Sequence, residues 1–221
     1  MTTHERLGAL RRVIAAATIA WFLVVLLAVL SGAVRFAIAG ALAPPLLLGL
    51  VAAPIVVFAA GYRGSARFRH FVASLDLAFL VRLHMLRVVG LVFVLLYLLG
   101  HLPAGFALPA GLGDLAIALS APLVARSLAS PGPRTSTAFI AWNALGLVDF
   151  AAALALGVAH SDAPVGFLAA DVTTVLVTEF PLALIPAFGV PFFIITHLIA
   201  LIRWRETTGR ASSSPLGARA A

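Results

Sequence analysis

From Val13 to Val34 the chain runs without one charged side chain, and long, thinly charged apolar runs recur from Phe36 to Tyr62, His84 to Gly100, Gly105 to Ala125, Ser136 to Ala159 and Pro181 to Ile202. Each is close to the roughly 20 residues that a helix needs to cross about 30 Å of hydrocarbon. In lipid, backbone N–H and C=O groups find no water, so only helices or closed barrels span. Barrel strands alternate apolar and polar residues over about ten positions, whereas these runs are continuous, so the spans are predicted to be helical. Composition agrees: 62% of residues are hydrophobic and 10% charged, with mean hydropathy +1.12, against about 25% charged in a soluble domain. The predicted fold is all-α, a polytopic transmembrane bundle of about six spans, with seven as the fallback, plus interfacial helices.

Residues 1–205 are read as one transmembrane domain and 206–221, rich in Ser, Gly and Ala, as a disordered cytoplasmic tail. Arg6, Arg11 and Arg12 ahead of the first run allow a signal peptide, but the run exceeds the usual apolar core of about 7–15 residues, which favours an uncleaved span. Pro44, Pro45 and Pro54 are expected to kink or break the second span, and Pro186 and Pro191 to bend or unwind the last. Phe71 to Leu83, interrupted by Asp76 and Arg82, reads as an interfacial helix or the foot of the third span. Ser161 to Glu179 sets Asp171, Thr174 and Thr178 on one helical face and Leu168, Val172 and Val175 on another, the pattern of an amphipathic helix that lies at the interface or re-enters without crossing.

The net charge of +7 comes from fifteen Arg and no Lys. With the N-terminus inside, Arg6, Arg11, Arg12, Arg63, Arg67, Arg69, Arg126, Arg134, Arg203, Arg205 and Arg210 all fall on the cytoplasmic side. The opposite side receives Arg35 together with Asp162, Asp171 and Glu179. This bias favours six spans, both termini in the cytoplasm and a bacterial inner-membrane location; a seventh crossing would put the basic tail outside. The Arg residues therefore act as topology signals, and no nucleic-acid partner is expected. Without Lys no lysine Schiff base can form, and without Cys there are no disulfides or thiolate sites. Walker, dinucleotide, nucleophile-elbow and zinc-protease motifs are absent.

Ionisable residues within spans face the bundle interior or a cavity. In the third span His84, Arg87, Gly90, Val94, Tyr97 and His101 form a stripe; its plainest reading has Arg87 snorkelling to headgroups, Tyr97 bonding a neighbouring helix and His101 capping the outer end. In the fourth, Gly111, Asp114, Ala118, Ala121 and Ala125 share the face that close packing prefers, with Leu112, Leu115 and Leu119 toward lipid. The fifth aligns Gly146, Asp149, Ala153, Gly157 and His160. Asp114 and Asp149 lie about ten residues below the outer ends of their helices, near the midplane. They are expected to meet, and desolvation together with mutual repulsion to keep at least one protonated. The candidate substrate or proton site is Asp114, Asp149, Tyr97, Asn143 and His160; a carboxyl that only locks helix register is the structural alternative. His84, His101, His160 and His197 have the chemistry of haem or metal ligands but alternate between the two membrane faces, so no metal and no cofactor is predicted.

The stretches Pro109-Ala110-Gly111-Leu112-Gly113-Asp114, Trp142-Asn143 to Asp149, and Phe180 to Pro191 with His197 following, resemble a family of small uncharacterised bacterial multi-span membrane proteins. The resemblance implies a multi-span bacterial inner-membrane protein and no particular chemistry. Three functions stay open. Interrupted helices and midplane carboxylates favour a small permease or a proton- or ion-coupled transporter. The others are an accessory subunit of a membrane complex and an intramembrane enzyme or haem or quinone binder. The partners expected are the lipid bilayer and either a second copy or a partner subunit.

Overall fold

The computed structural model describes residues 3–34, 43–130 and 132–212, and these contain helices and no strands. The elements are α1 (Thr3–Leu30), α2 (Ala43–Gly64), α3 (Ala66–Ala73), α4 (Leu77–Leu83), a 3-10 segment (His84–Gly90), α5 (Leu91–Leu98), α6 (Ala104–Ser127), α7 (Pro133–Ala159), a short 3-10 turn (Val175–Thr178), a π-helical turn (Ile185–Gly189) and α8 (Val190–Ser212). Five of the described helical stretches are long and apolar enough to cross a membrane, and six if the bent pair α2 and α3 counts as one span.

Helix α6 is the central pillar. Its buried face is built largely from small residues, Ala107, Ala110, Gly111, Ala118, Ala121 and Ala125, with Asp114 among them, while Leu112, Leu119 and Leu123 are exposed. Without bulk on that face, the 3-10 segment, α5 and α7 approach α6 closely. A Cβ added at Gly111 would lie 2.9 Å from the carbonyl oxygen of Gly90. Here the expected packed and outward faces of this helix are both found. The turns 99–103 and 160–184 share one end of the bundle, called upper below; the turn at 128–130 and the α2–α3 corner share the lower end.

Several sequence expectations need correction. Pro54 sits inside α2 without breaking it, and the sharp turn comes instead at Ser65, where α2 and α3 meet at 106°. Ser65 leaves helical geometry and its Oγ caps α3 by accepting from the Phe68 N–H; Pro44 and Pro45 fall in the first turn of α2, where a missing N–H is harmless. Of the two readings for Phe71 to Leu83, the interfacial helix fails for Leu77 to Leu83, which continues the stretch that follows as the first third of 22 apolar residues ending at Leu98. Asp76 starts it as N-cap, accepting from the Phe79 N–H at 2.6 Å.

Ser161 to Glu179 is not an amphipathic helix. Pro164 and Gly166 interrupt it, and it folds back over the end of α7: Leu168 N–H donates to Ala159 O, Thr174 N–H to His160 O and Thr174 Oγ1 to Gly157 O. These bonds satisfy carbonyls that a helix end leaves open. At the start of the last span, Pro186 coincides with the π-turn, where Val190 N–H reaches back five residues to Ile185 O. Pro191 directly follows the π-turn in a helix that runs on without a break, so the irregularity lies between Pro186 and Pro191. Helix α8 also continues to Ser212, past the expected start of a disordered tail; residues 213–221, and Arg35, lie outside the described residues.

Candidate functional site

The middle of the Leu77–Leu98 stretch has period three. Val81, His84, Arg87, Gly90 and Phe93 are all buried, while Met85, Leu86, Val88 and Val89 between them are exposed. A 3-10 helix eclipses every third side chain, so winding His84–Gly90 this way gathers His84, Arg87 and Gly90 on one inward line. Arg87 is about ten residues from either end of the Leu77–Leu98 stretch and only 1% exposed, so it does not snorkel.

Its guanidinium joins three helices. Nε donates to Asp114 Oδ1 on α6 at 2.7 Å, Nη2 donates to Asp149 Oδ2 on α7, and Nη1 reaches Gly146 O on α7 at 3.4 Å and His197 Nε2 on α8 at 3.3 Å. The ring of Phe150 covers the guanidinium carbon at 3.9 Å, a geometry that favours the cation. Because Arg87 can only donate, His197 Nε2 accepts, which puts the ring proton on Nδ1. Nδ1 then donates to Asn143 Oδ1 at 2.9 Å, and Asn143 Nδ2 donates to Phe139 O at 2.8 Å. The His84 ring lies 3.9 Å from that of His197, and its Nε2 meets Thr196 Oγ1 at 3.2 Å. Thr196 Oγ1 itself donates to Phe193 O, so it accepts from His84. Among the described residues, His84 Nδ1 is thereby left as a buried acceptor with no partner.

Three glycines make room for this cluster. A Cβ on Gly90 would overlap the Asp114 carboxylate, one on Gly113 the Asp149 carboxylate, and one on Gly146 the His197 ring. Beneath it, Trp142, Phe139, Trp204 and Phe58 belong to the apolar core that fills the lower half, with Trp142 Nε1 held by Ser120 Oγ at 2.9 Å. Above it, a cavity runs between α7, the 160–184 segment and the π-turn down to Asp114 and Asp149. It holds about 80 Å³ open to water-sized molecules. A second space of about 120 Å³ lies between Arg87, Asp114 and the π-turn.

Of the residues singled out in the sequence, Asp114, Asp149 and Asn143 come together. Tyr97 and His160 do not: among the described residues neither bonds to the cluster. Tyr97 packs in the apolar group of Phe93, Leu102 and Phe106, and His160 ends α7, its Nδ1 3.0 Å from Leu156 O and its ring against Gly105. The two carboxylates meet through a guanidinium that bonds to both, and not directly as a carboxyl pair. Sequence reasoning undervalued Arg87, His197 and His84. Nor do all the His alternate, since His84 and His197 stack at one depth.

No curated protein and no solved structure matches this chain. One family profile does, over residues 43–205, a stretch that holds every residue of the cluster and leaves out α1: the chain belongs to the family of the domain of unknown function DUF8737.

Proposed function

We propose that this is a six-span membrane protein with both termini cytoplasmic, acting as a small permease that couples solute movement to a proton or cation at the Arg87–Asp114–Asp149 centre. The observation that carries this reading is the cavity from the upper end to two carboxylates at mid-span, closed below by aromatic packing. A static structural ion pair needs no such access. Asp149 remains 14% exposed by side chain, and a π-turn, a feature frequent at functional sites, borders the same cavity. Arg126 and Arg134 beside the lower turn, and Asp162 and Asp171 in the upper segment, support a cytoplasmic lower end. An occluded pathway that opens alternately at the two ends requires a site at this depth.

The test is electrogenic current on solid-supported membranes carrying the purified protein, challenged with ammonium compounds, carboxylates, neutral amino acids and sugars. A saturable current for one class, lost in Asp149→Asn, is expected. No current for any class, with a stoichiometric partner co-purifying from native membranes, would replace the permease with an accessory subunit.

A further inference from the structure

Charge accounting within the cluster points beyond its location. Arg87 uses Nε, Nη1 and Nη2 on protein acceptors and sets its guanidinium carbon over the Phe150 ring, so its charge is largely committed inside the protein. Each carboxylate spends one oxygen on Arg87. Among the described residues, Asp114 Oδ2 and Asp149 Oδ1 accept from no donor, and neither is sealed from the cavity. Two formal negative charges thus share one positive charge, and the remainder faces the cavity floor. An uncompensated charge in a low-dielectric interior is unfavourable and attracts a counter-charge. The cavity mouth adds Asp162 and, among the described residues, no basic side chain but Arg87 lines either space. The walls are apolar and aromatic: Phe93, Phe106, Phe150, Leu154, Ile185 and Val190.

We propose that the cavity binds a small amphipathic monocation, an ammonium group on a short apolar or aromatic body, with the ammonium against Asp149 and Asp114 and the body against Phe93, Phe106 and Val190. A hydrated inorganic ion gains nothing from such walls, and an anion meets three carboxylates. Room for several waters, at roughly 10–15 Å³ each, suits a ligand of under about ten heavy atoms. The proposal names the substrate class for the permease reading and rests on the same site.

Its test is isothermal titration of the protein in nanodiscs with three probes of nine heavy atoms each: phenethylammonium, 2-phenylethanol and benzoate. The ammonium is expected to bind at least tenfold more tightly than the alcohol, with the carboxylate weakest. Asp149→Asn is expected to reduce that discrimination to about twofold. Ala153→Leu, which adds bulk at the cavity wall without altering charge, is expected to weaken the ammonium and the alcohol alike. Equal binding of ammonium and alcohol, tighter binding of the carboxylate, or no binding of the ammonium at millimolar concentration to folded protein would each overturn the proposal. If Asp149→Asn fails to fold, the wild-type ranking decides alone. Selective ammonium binding without any transport current would remove the permease and keep the cation site; a current carried by sugars or carboxylates would do the reverse.

Discussion

Replacing Arg87 by Gln takes away the one positive charge that two carboxylates share and leaves both in the bundle interior. Asp114 loses its 2.7 Å partner, Asp149 loses its bond to Nη2, and His197 Nε2 and Gly146 O lose a donor. Removing one partner of a buried ion pair costs about 3–5 kcal/mol, which is a shift in the unfolding equilibrium of about two to three and a half powers of ten. Neutralising the carboxylates as well removes the cause. The triple variant Arg87→Gln/Asp114→Asn/Asp149→Asn keeps approximate shape and hydrogen-bonding capacity, so it is expected to lie within about 1 kcal/mol of the wild type. The assay is unfolding in mixed micelles, followed by tryptophan fluorescence from Trp142 and Trp204, which belong to the core below the cluster. Wild-type stability of Arg87→Gln, or a triple variant less stable than the single one, would show that the charges do not balance one another.

Three further expectations use other parts of the chain. Gly146→Ala puts a methyl group 3.2 Å from Arg87 Nη1 and onto His197, and overpacking of this kind is expected to lower stability by about 1–3 kcal/mol in the same assay. His197→Phe keeps the ring but leaves Asn143 Oδ1 unsatisfied, a loss of about 1–3 kcal/mol, and a second change, Asn143→Leu, is expected to recover part of it; strict additivity of the two losses would contradict the link between them. For orientation, the absence of native Cys makes single-Cys labelling clean: an impermeant maleimide applied to intact cells is expected to label Phe167→Cys, in the upper segment, and to spare Ser130→Cys, beside the lower turn, and the opposite pattern would invert the topology.

The bundle was legible because hydropathy alone separates helices from turns here, and the inward face of α6 because small residues mark close packing. Arg87 was misjudged through one error upstream. Asp76 and Arg82 looked like interruptions, so the third span was taken to begin at His84, which placed Arg87 near an end within snorkelling reach. Asp76 is an N-cap and Arg82 an exposed residue of α4, and moving the start to Leu77 puts Arg87 at the centre. The stripe of His84, Arg87 and Gly90 was visible at helical spacing, but its three-residue continuation back to Val81 lies beyond a span begun at His84. The 161–179 segment misled for the opposite reason. Its polar and apolar residues fit a helical wheel, yet Thr174 serves the open carbonyls of α7, a tertiary demand that local periodicity does not register.

The seven residues from His84 to Gly90 are wound more tightly and stretched further than their neighbours. At about 2.0 Å per residue rather than 1.5 Å, they are about 3.5 Å longer than the same residues in an α-helix. Three residues per turn also return Gly90 to the azimuth of His84, whereas α-helical winding would leave the two about 120° apart. The stretch therefore acts as a screw thread in the middle of the span. Rewinding it would draw the ends of Leu77–Leu98 together by most of an α-helical turn's height and swing Arg87 about 60° away from His84, so the grip on Asp114 and Asp149 and the length of this helix cannot change independently.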